Sequence, residues 1–257
     1  MVRAVTAPTP LTPTPPSSSS PPASSADDTA LPLGAEKTAR VRAMFDTIAP
    51  RYDLMNRLMT FGLDKGWRRA TVGALALPAG SVVLDLACGT GDLSRLGHRR
   101  GYRMVGADLS AGMLAANGTD TPLVEADGSR LPLVAGGFDG VVCGYALRNF
   151  TDLAATLAEC ARVLRPGGRL AVLEVDTPTS PLWRAGYDVW FTKAVPALGA
   201  VLSDREAYRY LPRSVAYLPP AHVLRRMLVE AGFAAVGIRP LAGGLSQLVV
   251  ATRAGLR

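Results

Sequence analysis

From residue 36 to 76 the apolar positions recur at helical spacing. Val41, Met44, Phe45 and Ile48 form one stretch and Leu54, Met55, Leu58 and Met59 a second. Pro50 separates them, and Gly62 separates the second from a third helix expected to begin near Asp64. The period then changes. Ser81-Val82-Val83-Leu84-Asp85-Leu86-Ala87 is a short, nearly continuous apolar run that ends in Cys88-Gly89-Thr90-Gly91-Asp92. It reads as a buried strand, a glycine turn and a helix start.

The alternation continues. Strands are expected at 102–107, 121–126, 138–143 and 168–175, and helices near 92–100, 110–116 and 152–164. Arg165-Pro166-Gly167-Gly168 is expected to stop the last helix and turn the chain into its next strand. Residues 178–219 interrupt the pattern with a mostly helical insertion rich in Trp, Tyr and Pro, after which a helix at 220–231 and strands at 233–238 and 245–252 complete it. The expectation is an α/β fold: a doubly wound, mostly parallel seven-stranded sheet with N-terminal helices and a helical insertion before the last strands.

Composition sets the limits of that domain. The first 35 residues hold eight of the twenty prolines and the run Ser17 to Ser20, with few large apolar side chains. Such a segment cannot bury enough surface to offset its ordering entropy, so a disordered tail is expected there, with the folded domain spanning 36–257. The tail has no apolar h-region, and Arg3 is its only basic residue, so it fits neither a signal peptide nor a transit peptide.

The net charge is +7, and the tail has one arginine against Asp27 and Asp28, leaving about +8 on the remainder. That excess serves either solubility or contact with an anionic partner, such as the inner face of the cell membrane. Basic residues are spread out and aromatics make up only 6%, so no nucleic-acid partner is expected. Cys88, Cys143, Cys160, His98 and His222 show no metal-ligand spacing, so no metal site is expected. The cysteine usage fits a reducing cytoplasm.

The glycine turn carries the first chemistry. Gly89 and Gly91 sit where the first strand meets its helix, where a backbone without Cβ atoms can approach a nucleoside. Asp108 ends the second strand, where a carboxylate can accept a ribose diol; an exposed loop acid or a helix cap before Ser110 is the alternative. Asp127 ends the third and is placed either to receive the exocyclic amine of adenine or to be a plain loop acid. A dinucleotide fingerprint would put glycine at position 94, where this chain has Ser94, and Asp85 and Asp92 supply negative charge where a pyrophosphate would lie. The set favours S-adenosylmethionine over a nicotinamide dinucleotide.

Longer segments carry a resemblance. They are Met44-Phe45-Asp46-Thr47-Ile48-Ala49-Pro50-Arg51-Tyr52-Asp53, then Asn56, Gly62 and Trp67-Arg68-Arg69, then Leu84 to Asp92 and Ala107-Asp108-Leu109-Ser110. Leu147-Arg148-Asn149, Arg162 to Gly168 and Tyr208-Arg209-Tyr210-Leu211 follow. From about residue 41 to 240 the chain resembles the ubiquinone/menaquinone biosynthesis C-methyltransferases. The resemblance implies cofactor contacts at Thr90, Asp108, Asp127-Gly128 and position 144, where relatives often have serine and this chain has Gly144. A second departure is Gly243-Gly244-Leu245-Ser246-Gln247-Leu248, where relatives usually place an alanine-leucine-histidine segment after the glycines.

The activity so implied is S-adenosylmethionine-dependent C-methylation of a demethylated isoprenoid quinol, with demethylmenaquinol the leading acceptor and another small aromatic or lipid-like acceptor the alternative. A non-catalytic S-adenosylmethionine-binding protein is the reading from another class. A quinol carbon becomes nucleophilic when its neighbouring hydroxyl ionises, and a phenol has a pKa of about 10, so the site must favour the anion. Arg148 is the candidate for stabilising the phenolate, with Asn149 holding the ring oxygen or a water; the alternative is that Arg148 pairs with an acid beside the fourth strand. Tyr52 and Asp53 either close the pocket or pack and cap helices. Trp183, Tyr187, Trp190 and Phe191 either pack a core or line a channel for a prenyl tail, and Tyr208 and Tyr210 share that ambiguity. Peripheral membrane contact and a homodimer stay open as associations.

Overall fold

A computed structural model of the chain describes residues 34–49, 60, 62–176, 178 and 214–255. Two helices, α1 (Gly34–Ile48) and α2 (Asp64–Ala74), precede the sheet. The strands are β1 (Val82–Leu86), β2 (Arg103–Asp108), β3 (Leu123–Glu125), β4 (Phe138–Gly144), β5 (Leu164–Val175), β6 (Phe233–Leu241) and β7 (Ser246–Arg253). Between them run α3 (Asp92–Arg99), α4 (Ala111–Ala115), α5 (Leu153–Val163) and α6 (Ala221–Glu230). The expected tail, the second N-terminal stretch and most of the insertion, including all six of its aromatic candidates, lie outside the described residues.

The strand order is β3-β2-β1-β4-β5-β7-β6. Strands β1 to β5 pair in parallel, and β7 runs antiparallel to both β5 and β6. The chain winds outward from β1 through β2 to β3, then returns to lay β4 on the other side of β1. The direction of winding thus reverses between β1 and β4, and open α/β sheets bind ligands beyond the strand ends at such a point.

Side-chain alternation assigns the two faces. Val83, Val142 and Ala171 pack with Val72 and Leu75 at α2 and Leu93 of α3. Leu84, Leu86, Val141, Cys143, Leu170 and Val172 face the other way, against Leu157 and Cys160 of α5 and Leu224 and Leu228 of α6. Both faces are covered, which is why these strands read as continuous apolar runs. Each fully buried leucine contributes about 1.5–3 kcal/mol relative to an exposed one. By the same period of two, Asp85 shares a face with Val83 and points toward α2 and α3, whereas Glu174 shares a face with Leu170 and Val172.

Local chemistry fixes the helix starts. The Ser110 hydroxyl accepts from the Met113 amide at 3.0 Å and caps α4, and Asp152 accepts from the Ala155 amide at 2.8 Å and caps α5. One element differs from expectation. The third strand keeps only three residues, because Pro122 and the Asp127 turn leave little ladder on that edge. The Arg165-Pro166-Gly167-Gly168 segment, expected as a stop between helix and strand, forms an irregular step at the start of β5: Leu164 pairs with Phe138, then Arg169 with Gly140. Gly167 has φ +78°, a conformation glycine adopts without penalty.

Among the described residues no helix is long and apolar enough to cross a membrane, and no group of three or more His, Cys, Asp or Glu could hold a metal ion. All three cysteines are buried free thiols.

Candidate functional site

A cleft of about 950 Å³, counting its open mouth, lies at the carboxyl ends of β1, β2 and β4. The β1 turn forms its floor. Gly91 (φ +88°) precedes α3 in a left-handed conformation, and a Cβ there would lie 2.7 Å from Asn117 Oδ1. Asn117 in turn donates from Nδ2 to the Gly89 carbonyl at 2.8 Å, which ties the turn to the end of α4.

Asp108 lies at the tip of β2. One carboxylate oxygen accepts the Gly89 amide at 2.8 Å and the other the Ser110 amide at 2.9 Å. Burial pushes its pKa up, against the pull of those backbone amides and that of Leu109. The carboxylate is therefore held rigidly at the cleft wall, and each oxygen has a second lone pair to offer a diol. Asp127 is exposed at the end of the β3 segment, with Oδ1 accepting the Ser129 amide and hydroxyl, both at 2.8 Å. Gly128 beside it is buried, and a Cβ there would meet the Phe150 ring at 2.9 Å. Leu109, Met113, Ala126 and Phe150 supply apolar wall between the two acids.

At the opposite end, Asp85 is 1% exposed and accepts the Ser94 hydroxyl at 2.7 Å. Burial pushes its pKa up to about 7, opposed by the Ser94 hydroxyl and amide and by the Arg68 charge. Gly144 ends β4 on this wall, where a Cβ would be 3.1 Å from Leu93. Tyr145 follows at φ +61°, a strained conformation for a tyrosine.

Helix α1 forms the remaining wall with Thr38, Val41, Arg42 and Phe45. It is tied down at both ends. Asp46 accepts the Ser110 hydroxyl at 2.5 Å and the Gly112 amide at 2.9 Å, and these bonds lower its pKa. Lys37 donates to the Phe150 carbonyl at 2.8 Å and lies 3.8 Å from the centre of the Tyr217 ring, and burial lowers its pKa to about 8.

The structure thus brings Asp85, Gly89, Asp108, Asp127, Gly128, Gly144 and Asn149 onto one cleft. Thr90 and Gly91 shape the turn without lining it, and Tyr52 and Asp53 lie outside the described residues. Arg148 is placed differently from the phenolate-contacting role expected of it. It is 5% exposed, does not line the cleft, and forms an ion pair with the fully buried Glu174 of β5. Its Nη1 also donates to the Tyr145 carbonyl at 2.9 Å and its Nε to the Ser214 hydroxyl at 3.0 Å. The physical reason is the pleat: Glu174 faces the α5 and α6 layer, and the guanidinium follows its counter-charge there. Arg148 therefore braces the strained Tyr145 backbone from behind. Sequence pattern alone gives no role to Arg68, Tyr145, Phe150 or Asn117; for Arg68 the one available signal is its i,i+4 spacing from Asp64.

The lining fits S-adenosylmethionine. Two acids flank an apolar slot for a nucleoside, and an acid and a base, Asp85 and Arg68, stand at the other end. A pyrophosphate would need cations or amides there, and among the described residues only Arg42 and Arg68 are basic on the wall.

Residues 34–255 match the profile of the ubiE/COQ5 methyltransferase family. The chain belongs to that family. It is 44% identical over 215 residues to the demethylmenaquinone methyltransferase of Mycolicibacterium gilvum, covering 83% of this chain and 94% of the relative. Against the Thermus thermophilus protein of the same name it is 44% identical over 200 residues, covering 74% and 91%. An S-adenosylmethionine-dependent methyltransferase structure from Thermotoga maritima superposes with a TM-score of 0.59 at 17% identity, covering 83% of this chain and 99% of that one, which shows the fold. The protein is an S-adenosylmethionine-dependent methyltransferase of quinone biosynthesis on a doubly wound sheet.

Proposed function

We propose that this methyltransferase transfers a methyl group to a ring carbon of a demethylated isoprenoid quinol, demethylmenaquinol giving menaquinol. The observation that carries the reading is 44% identity to a demethylmenaquinone methyltransferase over 94% of that protein, and it is supported by Asp108 and Asp127 lining one cleft.

Bound S-adenosylmethionine supplies an electrophilic methyl on a sulfonium. The methyl so supplied would pass to the ring carbon, with S-adenosylhomocysteine as the leaving product and the ring proton released to solvent or a base. The protein's share is orientation and exclusion of water, which alone can supply much of the barrier reduction. Asp108 holds the ribose, and Asp127 with Gly128 the adenine edge. Asn149 at the cleft wall meets a quinol oxygen or its water. Tyr145, braced by Arg148, carries the strand end beneath the reacting groups. Tyr52 and Asp53 close the pocket. The prenyl tail leads the protein to peripheral contact with the inner face of the cell membrane, which its positive charge favours.

The test is mass spectrometry of isoprenoid quinones from the host after the gene is deleted. Build-up of a quinone one methyl lighter supports the reading; an unchanged quinone profile rejects it.

A further inference from the structure

Asp46 stands on α1 and does not line the cleft, yet it is bonded to the element that carries Asp108. Its Oδ1 accepts the Ser110 hydroxyl at 2.5 Å and the Gly112 amide at 2.9 Å. Ser110 donates its amide to Asp108 Oδ1 at 2.9 Å, and its hydroxyl oxygen accepts the Met113 amide at 3.0 Å. A single buried serine therefore serves both acids. The hydroxyl proton must point to Asp46, because an ionised carboxylate only accepts. The backbones are close as well: a Cβ at Gly112 would lie 2.9 Å from the Asp46 Cα.

Such a pair does not assemble of itself. Burial first, and the Asp46 charge as a lesser cause, raise the pKa of Asp108, so the two carboxylates repel. Ser110 holds them together by giving its amide to one and its hydroxyl to the other. The opposite end of α1 is anchored on the loop after β4, where Lys37 donates to the Phe150 carbonyl at 2.8 Å and the Thr38 and Thr151 hydroxyls are 2.6 Å apart. The cleft-lining face of α1, with Thr38, Val41, Arg42 and Phe45, runs along this span. Release of Asp46 would free the end of that wall nearest Asp108.

We propose that Asp46 is a positioning residue that couples cofactor capture to the seating of α1. Through Ser110 it fixes the Asp108 carboxylate for the ribose, and Asp108 occupied by the ribose holds α1 in place in return, since a coupling between two binding events acts equally in both directions. The wall that meets the acceptor is then complete only when the cofactor is bound. The inference rests on the ribose contact proposed for Asp108 and is independent of the acceptor's identity.

The test is a double-mutant cycle on the full chain, read as calorimetric affinity for S-adenosylhomocysteine without acceptor. Asp46→Ala should weaken binding by about 5- to 30-fold, the span of couplings within one hydrogen-bond network. In an Asp108→Ala background the same change should cost less than about twofold. A purely structural role would lower affinity equally in both backgrounds. Hydrogen exchange gives the reciprocal reading: the ligand should slow amide exchange across residues 41–48 in the native protein and leave it unchanged in Asp46→Ala. Asp46→Asn, which keeps an accepting oxygen, should retain part of the coupling. Gly112→Ala, which removes no polar side chain but wedges α1 away from α4, should lose it. Additive losses in the cycle overturn the proposal, as does ligand protection of α1 that survives in Asp46→Ala. If Asp108→Ala alone binds as the native protein does, the ribose contact fails and the proposal fails with it; if Asp108→Ala weakens binding and the cycle is additive, only the coupling fails.

Discussion

Glu174 on β5 holds Arg148 through a buried ion pair, on the face of the sheet that meets α5 and α6. Removing one partner would leave an uncompensated buried charge, which costs about 3–5 kcal/mol. Arg148→Ala should lose stability on that scale in urea unfolding, and Arg148→Met/Glu174→Leu should recover most of it. An Arg148→Ala protein as stable as the native one, with turnover lost, would return Arg148 to direct contact with the acceptor.

The ribose contact proposed for Asp108 would use a carboxylate whose two oxygens are already oriented by backbone amides. Asp108→Ala should weaken S-adenosylmethionine binding by about 1.5–3 kcal/mol. Calorimetry that finds unchanged affinity in the folded variant removes Asp108 from the cofactor site.

Asp85 provides a pH signature. Its pKa in the fold, about 7, is above its ordinary value, so the folded state binds this proton more tightly than the unfolded chain. Its contribution to stability therefore falls as pH rises from about 4 to about 7, and is flat outside that window. Asp85→Asn carries no such slope, so its melting temperature relative to the native protein should rise between pH 5 and pH 8. An identical difference at both ends would show that Asp85 does not titrate there.

Two glycines should respond with opposite sign. Gly91→Ala places a Cβ at φ +88° and 2.7 Å from Asn117, so a loss of about 1–2 kcal/mol is expected, with weaker cofactor binding. Gly66 lies inside α2 with nothing within 4 Å of where a Cβ would stand, and Gly66→Ala should gain up to about 1 kcal/mol. Thermal unfolding of the pair separates the effects; a neutral Gly91→Ala would mean the turn relaxes freely.

Asp108 and Gly89 are legible in the sequence because the period of the strands dictates where each ends, and strand ends line the cleft. Ser94 is visible there only as a missing glycine, yet it is the hydroxyl partner of Asp85. Arg68 stays hidden because its meaning depends on which side of α2 meets β1 and β4, a tertiary fact with no local period. For Arg148 the sequence allows either a phenolate contact or half of an ion pair, and spacing cannot choose: Glu174 is 26 residues away and meets it only through the β4–β5 pairing. The Arg165 to Gly168 segment is legible locally: the helix before it ends at Val163, and regular pairing with β4 begins only at Arg169, so the four residues form the break that their Pro and Gly signal.

The central claim is methyl transfer to the reduced ring. Purified protein given S-adenosylmethionine labelled in its methyl group should label a demethylated menaquinone kept reduced, at a ring carbon, and leave the oxidised quinone unlabelled. Equal labelling of the two forms, or none of the quinol by protein that binds the cofactor, would contradict the account.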